Sequence, residues 1–148
     1  MNIKLIELSA SNMNEYLSLS VLDSQASFIE TPELSLEDMK NDSWNISWKI
    51  MTINNDTNVV GYLMYGINSY LDIWLDRFMI DKRYQHKGYG NEAMELIINL
   101  LKQEFKDYRR IVLSVTRGNY SAINFYKKFG FKLTGEIEDD ELVMQLME

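Results

Sequence analysis

With 148 residues, a net charge of −7 and no cysteine, the chain is close to the usual size of one domain. Its composition excludes a disulfide framework, a thiolate nucleophile and cysteine-ligated zinc, and the single histidine, His86, cannot build a multi-histidine metal site. The negative balance argues against nucleic acid as a partner, because phosphate recognition needs a basic surface, and suits either a cationic ligand or plain solubility.

Apolar residues at 46% and charged residues at 25% are ordinary for a globular protein. A chain of this length buries roughly 68–70% of its unfolded surface, so its core needs no covalent staples. No run of about 18 apolar residues exists to span a membrane. The opening stretch MNIKLIELSA lacks the apolar region of a signal peptide, so a cytoplasmic enzyme or binding protein is expected.

Residues 3–8 alternate as a first strand. Asn12 followed by Glu15 reads as a capping box that opens a helix through about Ser20. Residues 21–34 hold the only proline, Pro32, and read as a loop with irregular helix. Ser35 with Asp38 three residues later marks a second helix start, with a stop near Asn41 or Asp42. Two apolar runs, 46–53 and 59–67, are joined by the polar stretch 54–58 and predict an antiparallel hairpin.

The strand 72–80 follows and ends in the charged residues Asp81, Lys82 and Arg83, then Gly88-x-Gly90. Next comes a helical pattern with Met94, Ile97, Ile98, Leu101 and Phe105 on one face, running to about Lys106. Residues 111–115 form another strand, so this helix is a right-handed crossover between parallel strands. A loop at 116–119 leads to a short helix, 120–129, closed by Gly130. Strands 131–134 and 141–147, joined by an acidic turn, complete one α+β domain on a mixed sheet, without repeats or linkers.

The order strand, glycine turn, helix carries chemistry. It aims several backbone N–H groups and the positive end of a helix dipole at one spot, which suits a phosphate. Glycine there lets an anion approach the backbone and permits positive φ. Neither GxxxxGK[ST] nor GxGxxG is present. What is present is Gln85-x-x-Gly88-x-Gly90, which resembles the acetyl-CoA pyrophosphate loop of the GNAT N-acetyltransferase superfamily. By itself the pattern also fits a glycine-rich connection.

A second segment decides between the two. Residues Asn119 to Phe131 match the superfamily pattern N-x-x-A-x-x-x-Y-x-x-x-G-F, through Asn119, Ala122, Tyr126, Gly130 and Phe131. With both motifs in order, the chain is identified as a member of the GNAT superfamily. The stretches Ser27–Glu30, Gly61–Gly66 and Trp74–Phe78 resemble the bacterial Blt-type diamine, spermidine and spermine acetyltransferases.

The resemblance implies an α/β/α arrangement. Its central sheet is mixed and mostly antiparallel, with about six or seven strands, a splayed parallel pair (72–80 and 111–115) and about four flanking helices. It implies acetyl-CoA as co-substrate and no metal. Backbone groups of Phe78, Met79 and Ile80 would hydrogen-bond the pantetheine arm and polarise the thioester carbonyl, where an oxyanion develops. The loop of Gln85, His86, Lys87, Gly88, Tyr89, Gly90 and Asn91 would wrap the pyrophosphate. Lys87 either adds charge there or is a solvated loop lysine, and nothing marks His86 as a base. Lys82 stands where many members carry proline.

Tyr126 would act as general acid to the departing CoA thiolate, the alternative being a buried structural tyrosine. Asn119, with Ser121 beside it, would bind near the sulfur or else cap a helix. The implied acceptor is a primary amine of a polyamine, attacking directly in a ternary complex. With a pKa of about 10 such an amine arrives charged and must lose a proton. Asp76 would receive it, unless that residue is a strand-end charge paired with Arg77. A one-residue slip of register would turn Asp76 to the other face.

Glu30 and Glu33 would line the acceptor groove or form a solvated acidic loop. Trp44, Trp48 and Trp74 read as core before amine-binding wall. Glu136, Glu138, Asp139, Asp140 and Glu141 read as a solvated hairpin turn, with cation steering as the alternative. Rival readings are the same chemistry on a protein N-terminus, an amino acid or an aminoglycoside, and a non-catalytic acyl-CoA-binding module. Nucleic acid and membrane are not expected partners. Many members form homodimers, although no stretch here marks an interface.

Overall fold

A computed structural model describes residues 2–41 and 46–148; Asp42 and Trp44 lie outside the described residues. The elements run β1 (Lys4–Glu7), α1 (Met13–Leu17), a 3-10 turn (Asp23–Phe28), α2 (Pro32–Lys40), β2 (Lys49–Asn54), β3 (Val59–Ile67) and β4 (Asp72–Ile80). They continue with α3 (Tyr89–Glu104), β5 (Arg110–Thr116), α4 (Tyr120–Lys127), β6 (Phe131–Glu138) and β7 (Glu141–Leu146). One seven-stranded sheet has the order β1-β2-β3-β4-β5-β7-β6. All neighbours are antiparallel except β4 and β5, the pair that the α3 crossover joins.

Apolar side chains leave both faces of this sheet, so it needs cover on both. On one face Ile73, Leu75, Leu113 and Met144 pack with Ala93, Met94, Ile97 and Leu101, the buried stripe of α3. On the other, Tyr62, Met64 and Met79 pack with Tyr16 and Leu19, and with Leu36 and Met39 of α2. The result is three layers, helices on either side of a mixed sheet.

β4 changes face half-way along. Arg77 pairs with Met64 but Leu75 pairs with Tyr65, which leaves Asp76 as an extra residue without a partner on β3. This β-bulge shifts the alternation. Ile73 and Leu75, then Phe78 and Ile80, belong to the α3 side, whereas Met79 belongs to the α1–α2 side.

Local departures from the sequence reading have physical causes. The Asn12–Glu15 capping box does not form. The Asn12 side chain is buried and accepts the Ser9 N–H (2.8 Å) while donating to Glu7 O and Thr52 Oγ1, and Glu15 accepts the Val59 N–H instead. α2 starts at Pro32, not Ser35. Thr31 Oγ1 accepts the Leu34 N–H (3.1 Å), and proline at the first helical position has no N–H to leave unpaired. Ser35 is buried within the helix and bonds the Tyr62 hydroxyl. The β6–β7 turn is confined to Asp139 and Asp140, both at positive φ, so Glu136 and Glu138 lie on β6.

Candidate active site

The site begins where two strands part. β4 and β5 are paired over only three residues each, Asp72–Trp74 with Arg110–Val112, although both continue well beyond. A buried carboxylate fastens the closed end. Asp72 accepts Nε (2.8 Å) and Nη2 (2.6 Å) of Arg109, and Arg110 reaches it from the neighbouring strand while its Nη1 bonds Glu136 (2.6 Å). Burial pushes the Asp72 carboxyl up, but the two guanidiniums outweigh this and hold it below the usual carboxylate range.

Past Trp74 and Val112 a cleft of about 480 Å³ opens between the strands. Asp81 N–H donates to Val60 O (2.7 Å), and hydrogen bonds to one neighbour alternate along an antiparallel ladder. Met79 therefore directs its backbone toward β3, and Phe78 and Ile80 direct theirs toward the gap. Ile80 O accepts one bond, from Gln85 Nε2 (2.9 Å). This edge can pair with an extended polar chain lying in the gap.

The loop after β4 is fastened at its root and open at its tip. Asp81 is fully buried and accepts the backbone N–H groups of Ser20 (2.9 Å) and Arg83 (2.9 Å) as well as Arg83 Nε (2.8 Å). Lys82 donates its N–H to Ser20 O (2.8 Å), a bond that proline at this position could not make. Gln85 also exchanges amide bonds with Gln25 of the 3-10 turn.

Beyond Gln85, His86 (φ +61°) and Gly88 (φ +88°) turn the chain into the N-terminus of α3, where no side chain caps the first N–H groups. Uncapped amides at the start of a sixteen-residue helix form an anion-binding nest. His86 and Gly90 line the cleft. The side chains of Lys87 and Asn91 are exposed and outside its wall, Asn91 accepting Lys128 Nζ (3.3 Å). Tyr89 packs edge-on against Tyr84, and its hydroxyl accepts from Asn55, so only its backbone addresses the nest.

α4 closes the opposite wall. Phe125 stacks on Phe78 (5.9 Å between centroids), which fixes the helix over the gap. Tyr126 lines the cleft, and among the described residues no hydrogen-bond partner holds its hydroxyl. Burial pushes its phenol well above the usual value. Asn119 caps α4 by accepting the Ala122 N–H (3.3 Å), which leaves its amide N–H groups for a ligand, and Ser121 stands beside it on the wall.

A larger cleft of about 700 Å³ meets the first at Glu30, Asp76, Arg77, Ser114 and Glu141. Eight carboxylates and three arginines line it. Burial pushes the Asp76 carboxyl up to about 6 against the pull of Arg77, and Glu30, Glu141 and Asp38 reinforce the rise. Glu141 accepts Ser114 Oγ (2.9 Å) and Thr116 Oγ1 (3.0 Å). Trp48 and Trp74 are half-buried and stand in this wall, not wholly in the core. Glu33 is exposed at the start of α2 and lines neither cleft. Among the described residues no group of three His, Cys, Asp or Glu side chains is arranged to hold a metal.

Residues 15–131 match the acetyltransferase (GNAT) family. The chain belongs to that family. Among its relatives, a spermine/spermidine N(1)-acetyltransferase of Bacillus subtilis is 34% identical over 145 residues, covering 93% of either chain. An N-acetyltransferase of Thermoplasma acidophilum solved in complex with coenzyme A superposes with a TM-score of 0.72 over 100% of both chains at 17% identity. A GNAT acetyltransferase of Elizabethkingia anophelis with acetyl-CoA bound gives 0.70 over 99% of both at 14%. At such identities the structural likeness speaks for the fold.

The splayed pair, the glycine loop and α4 are the parts of the cleft that the sequence motifs locate. The sequence reading offers Arg77 as a partner of Asp76, which lies 3.3 Å away, and leaves three further features unseen. Arg77 also reaches Glu30 and Asp38, Asp38 reaches the cleft from α2, and Asp72 closes the strand pair. Each acts through partners remote in sequence, and no spacing rule marks them.

Proposed function

We propose that this protein transfers an acetyl group from acetyl-CoA to a primary amine of a polyamine, by direct attack while both are bound. The observation that carries the acceptor is the carboxylate-rich cleft meeting the strand gap at Asp76, a charge balance suited to a polycation. The spermine/spermidine activity named for the Bacillus subtilis relative supports the same choice.

Two features fit acetyl-CoA: the open edge at Phe78 and Ile80, and the uncapped amides behind the left-handed Gly88. Bound there, acetyl-CoA supplies the acetyl group as a thioester, whose cleavage leaves a thiolate. Phe78 and Ile80 backbone groups hold the pantetheine arm, and the amides from His86 to Asn91 hold the pyrophosphate. Asn119 and Ser121 lie toward the reacting end.

The acceptor arrives as an ammonium and gives a proton to Asp76, directly or through water. Asp76 is mostly ionised at neutral pH, because its carboxyl titrates near 6, and it releases that proton to solvent. The amine nitrogen then forms the new bond to the acyl carbon as the carbon–sulfur bond breaks, and the surplus proton on that nitrogen passes to water, which leaves the neutral amide. Tyr126, kept protonated by burial, hands its proton to the departing sulfur and is reprotonated from solvent. Glu30 attracts the cation at the mouth of the groove.

The test is thiol release from acetyl-CoA with spermidine, spermine, putrescine, lysine and a short peptide offered separately. Turnover confined to the polyamines is the expected outcome. Turnover with the peptide alone would keep the cofactor and Tyr126 roles and reject the polyamine. Tight acetyl-CoA binding with silence from every acceptor would favour a binding module.

A further inference from the structure

We infer that Glu141 receives the acceptor's second ammonium and so makes the enzyme prefer diamines over monoamines, given that the larger cleft holds the acceptor. Glu141 opens β7 opposite Thr116 of β5, in the wall that the two clefts share. Its two oxygens are held separately: Oε1 accepts Ser114 Oγ at 2.9 Å, and Oε2 accepts Thr116 Oγ1 at 3.0 Å. Both donors are neutral hydroxyls. They fix the orientation of the carboxylate, leave it lone pairs to spare and do not compensate its charge.

Most other carboxylates of the larger cleft are matched by arginine. Asp72 and Glu136 are taken by Arg109 and Arg110, and Glu30, Asp38 and Asp76 share Arg77. Glu138 and Asp139 are exposed and line the larger cleft alone. Glu141 is half-buried, borders both clefts and has no cationic partner among the described residues. At the junction four carboxylates thus stand around one guanidinium, and partial burial strengthens their pull on a cation. Asp76 takes the proton of the reacting ammonium, so a negative excess remains for a second one. Of the four, Glu141 is the carboxylate that no arginine engages, and its oxygens are already in place for charge-assisted hydrogen bonds. Because it also borders the cofactor cleft, it meets that ammonium near the reacting end. Glu141 is a specificity residue.

The experiment compares kcat/KM at pH 8, where Asp76 is ionised, for putrescine and for pentylamine, which carries a methyl group in place of the second amine. The enzymes are the wild type, Glu141→Gln and Asp139→Asn. Glutamine keeps the shape and can still bond both hydroxyls. Asp139→Asn removes an exposed charge from the same cleft, at a positive φ that asparagine tolerates. The expected result is a putrescine-to-pentylamine ratio that falls about tenfold in Glu141→Gln and stays within about twofold in Asp139→Asn. Because each ratio is taken within one enzyme, loss of folded protein cancels. An unchanged ratio in Glu141→Gln, or an equal fall in Asp139→Asn, overturns the inference while leaving the acceptor reading in place.

A wild-type comparison covers a variant that fails to fold. Putrescine should be the better acceptor, and pentylamine matching or exceeding it also overturns the inference. A wild type that acetylates a short peptide but neither of these amines rejects the acceptor reading itself, and this inference with it.

Discussion

Two side chains would handle the two protons of the transfer, Asp76 at the cleft junction and Tyr126 on the wall of the first cleft, and burial raises the pKa of both. Tyr126 is kept neutral as a donor. Tyr126→Phe is expected to lower kcat about 100-fold while leaving acetyl-CoA affinity within about twofold, measured by steady-state kinetics and calorimetry. Unchanged turnover at neutral pH would remove Tyr126 from the acid role. With Asp76 as the proposed base, kcat/KM should fall on the acid side of about pH 6, and Asp76→Asn should abolish that limb along with most of the activity. Its raised carboxyl also has a thermodynamic sign. The folded state binds this proton more tightly than the unfolded chain does. The associated stability is complete below the unfolded value of about 4 and is lost as pH rises through 6. Asp76→Asn should therefore stabilise the protein at pH 7 by about 2 kcal/mol, and by nothing below pH 4, in urea titrations.

At the scale of elements, the loop between β4 and α3 uses its glycines for different reasons. Gly88 adopts φ +88°, where a Cβ costs about 1–2 kcal/mol. Gly88→Ala should lower both stability and acetyl-CoA affinity, because the nest amides turn away. Gly90 lies inside α3, and a Cβ there would meet the Phe125 ring at 3.6 Å, an ordinary contact. Gly90→Ala should leave the melting temperature unchanged or slightly higher, since alanine favours helix, and weaken acetyl-CoA binding by crowding the cleft. Equal affinity in the Gly90 variant would mean that the pyrophosphate approaches elsewhere. The loop before α2 is fastened just as specifically. Tyr16 donates to Pro32 O (2.6 Å), and Tyr62 donates to Glu30 O (3.0 Å). Two buried phenols thus present Glu30 at the groove, and burial pushes Tyr62 up to about 12.

Over the whole molecule, one sheet must be continuous for stability and interrupted for function. The Asp72 cluster reconciles these by fastening β4 to β5 at the point beyond which they part. Asp72→Asn should cost about 3 kcal/mol at pH 7, toward the low end for a broken buried ion pair because both guanidiniums reach solvent. The sign with pH is the reverse of that for Asp76. A depressed carboxyl contributes stability above the unfolded value of about 4, and this is lost as pH falls through the folded one. Wild type and Asp72→Asn should therefore converge in strong acid, as read by circular dichroism. A loosened closed end should also weaken acetyl-CoA binding in the variant.

By itself the sequence determined the features that depend on neighbours along the chain. The β2–β3 hairpin, β4 to its last residue, the glycine loop, the crossover helix and the α4 motif are written in periodicity, in turn residues and in fixed spacings a few residues long. The three-layer fold follows from their order. Only the tertiary structure decided where Asp76 points, because a bulge is a relation between β3 and β4 and has no signature in either strand. The same holds for the two remote carboxylates of Arg77, Glu30 from the loop before α2 and Asp38 from α2 itself. Asn12 and Glu15 had the spacing of a cap but found partners across the sheet, and Trp48 became cleft wall. In each case a buried or charged side chain took the best partner in space, and distance along the chain carries no information about which partner that is.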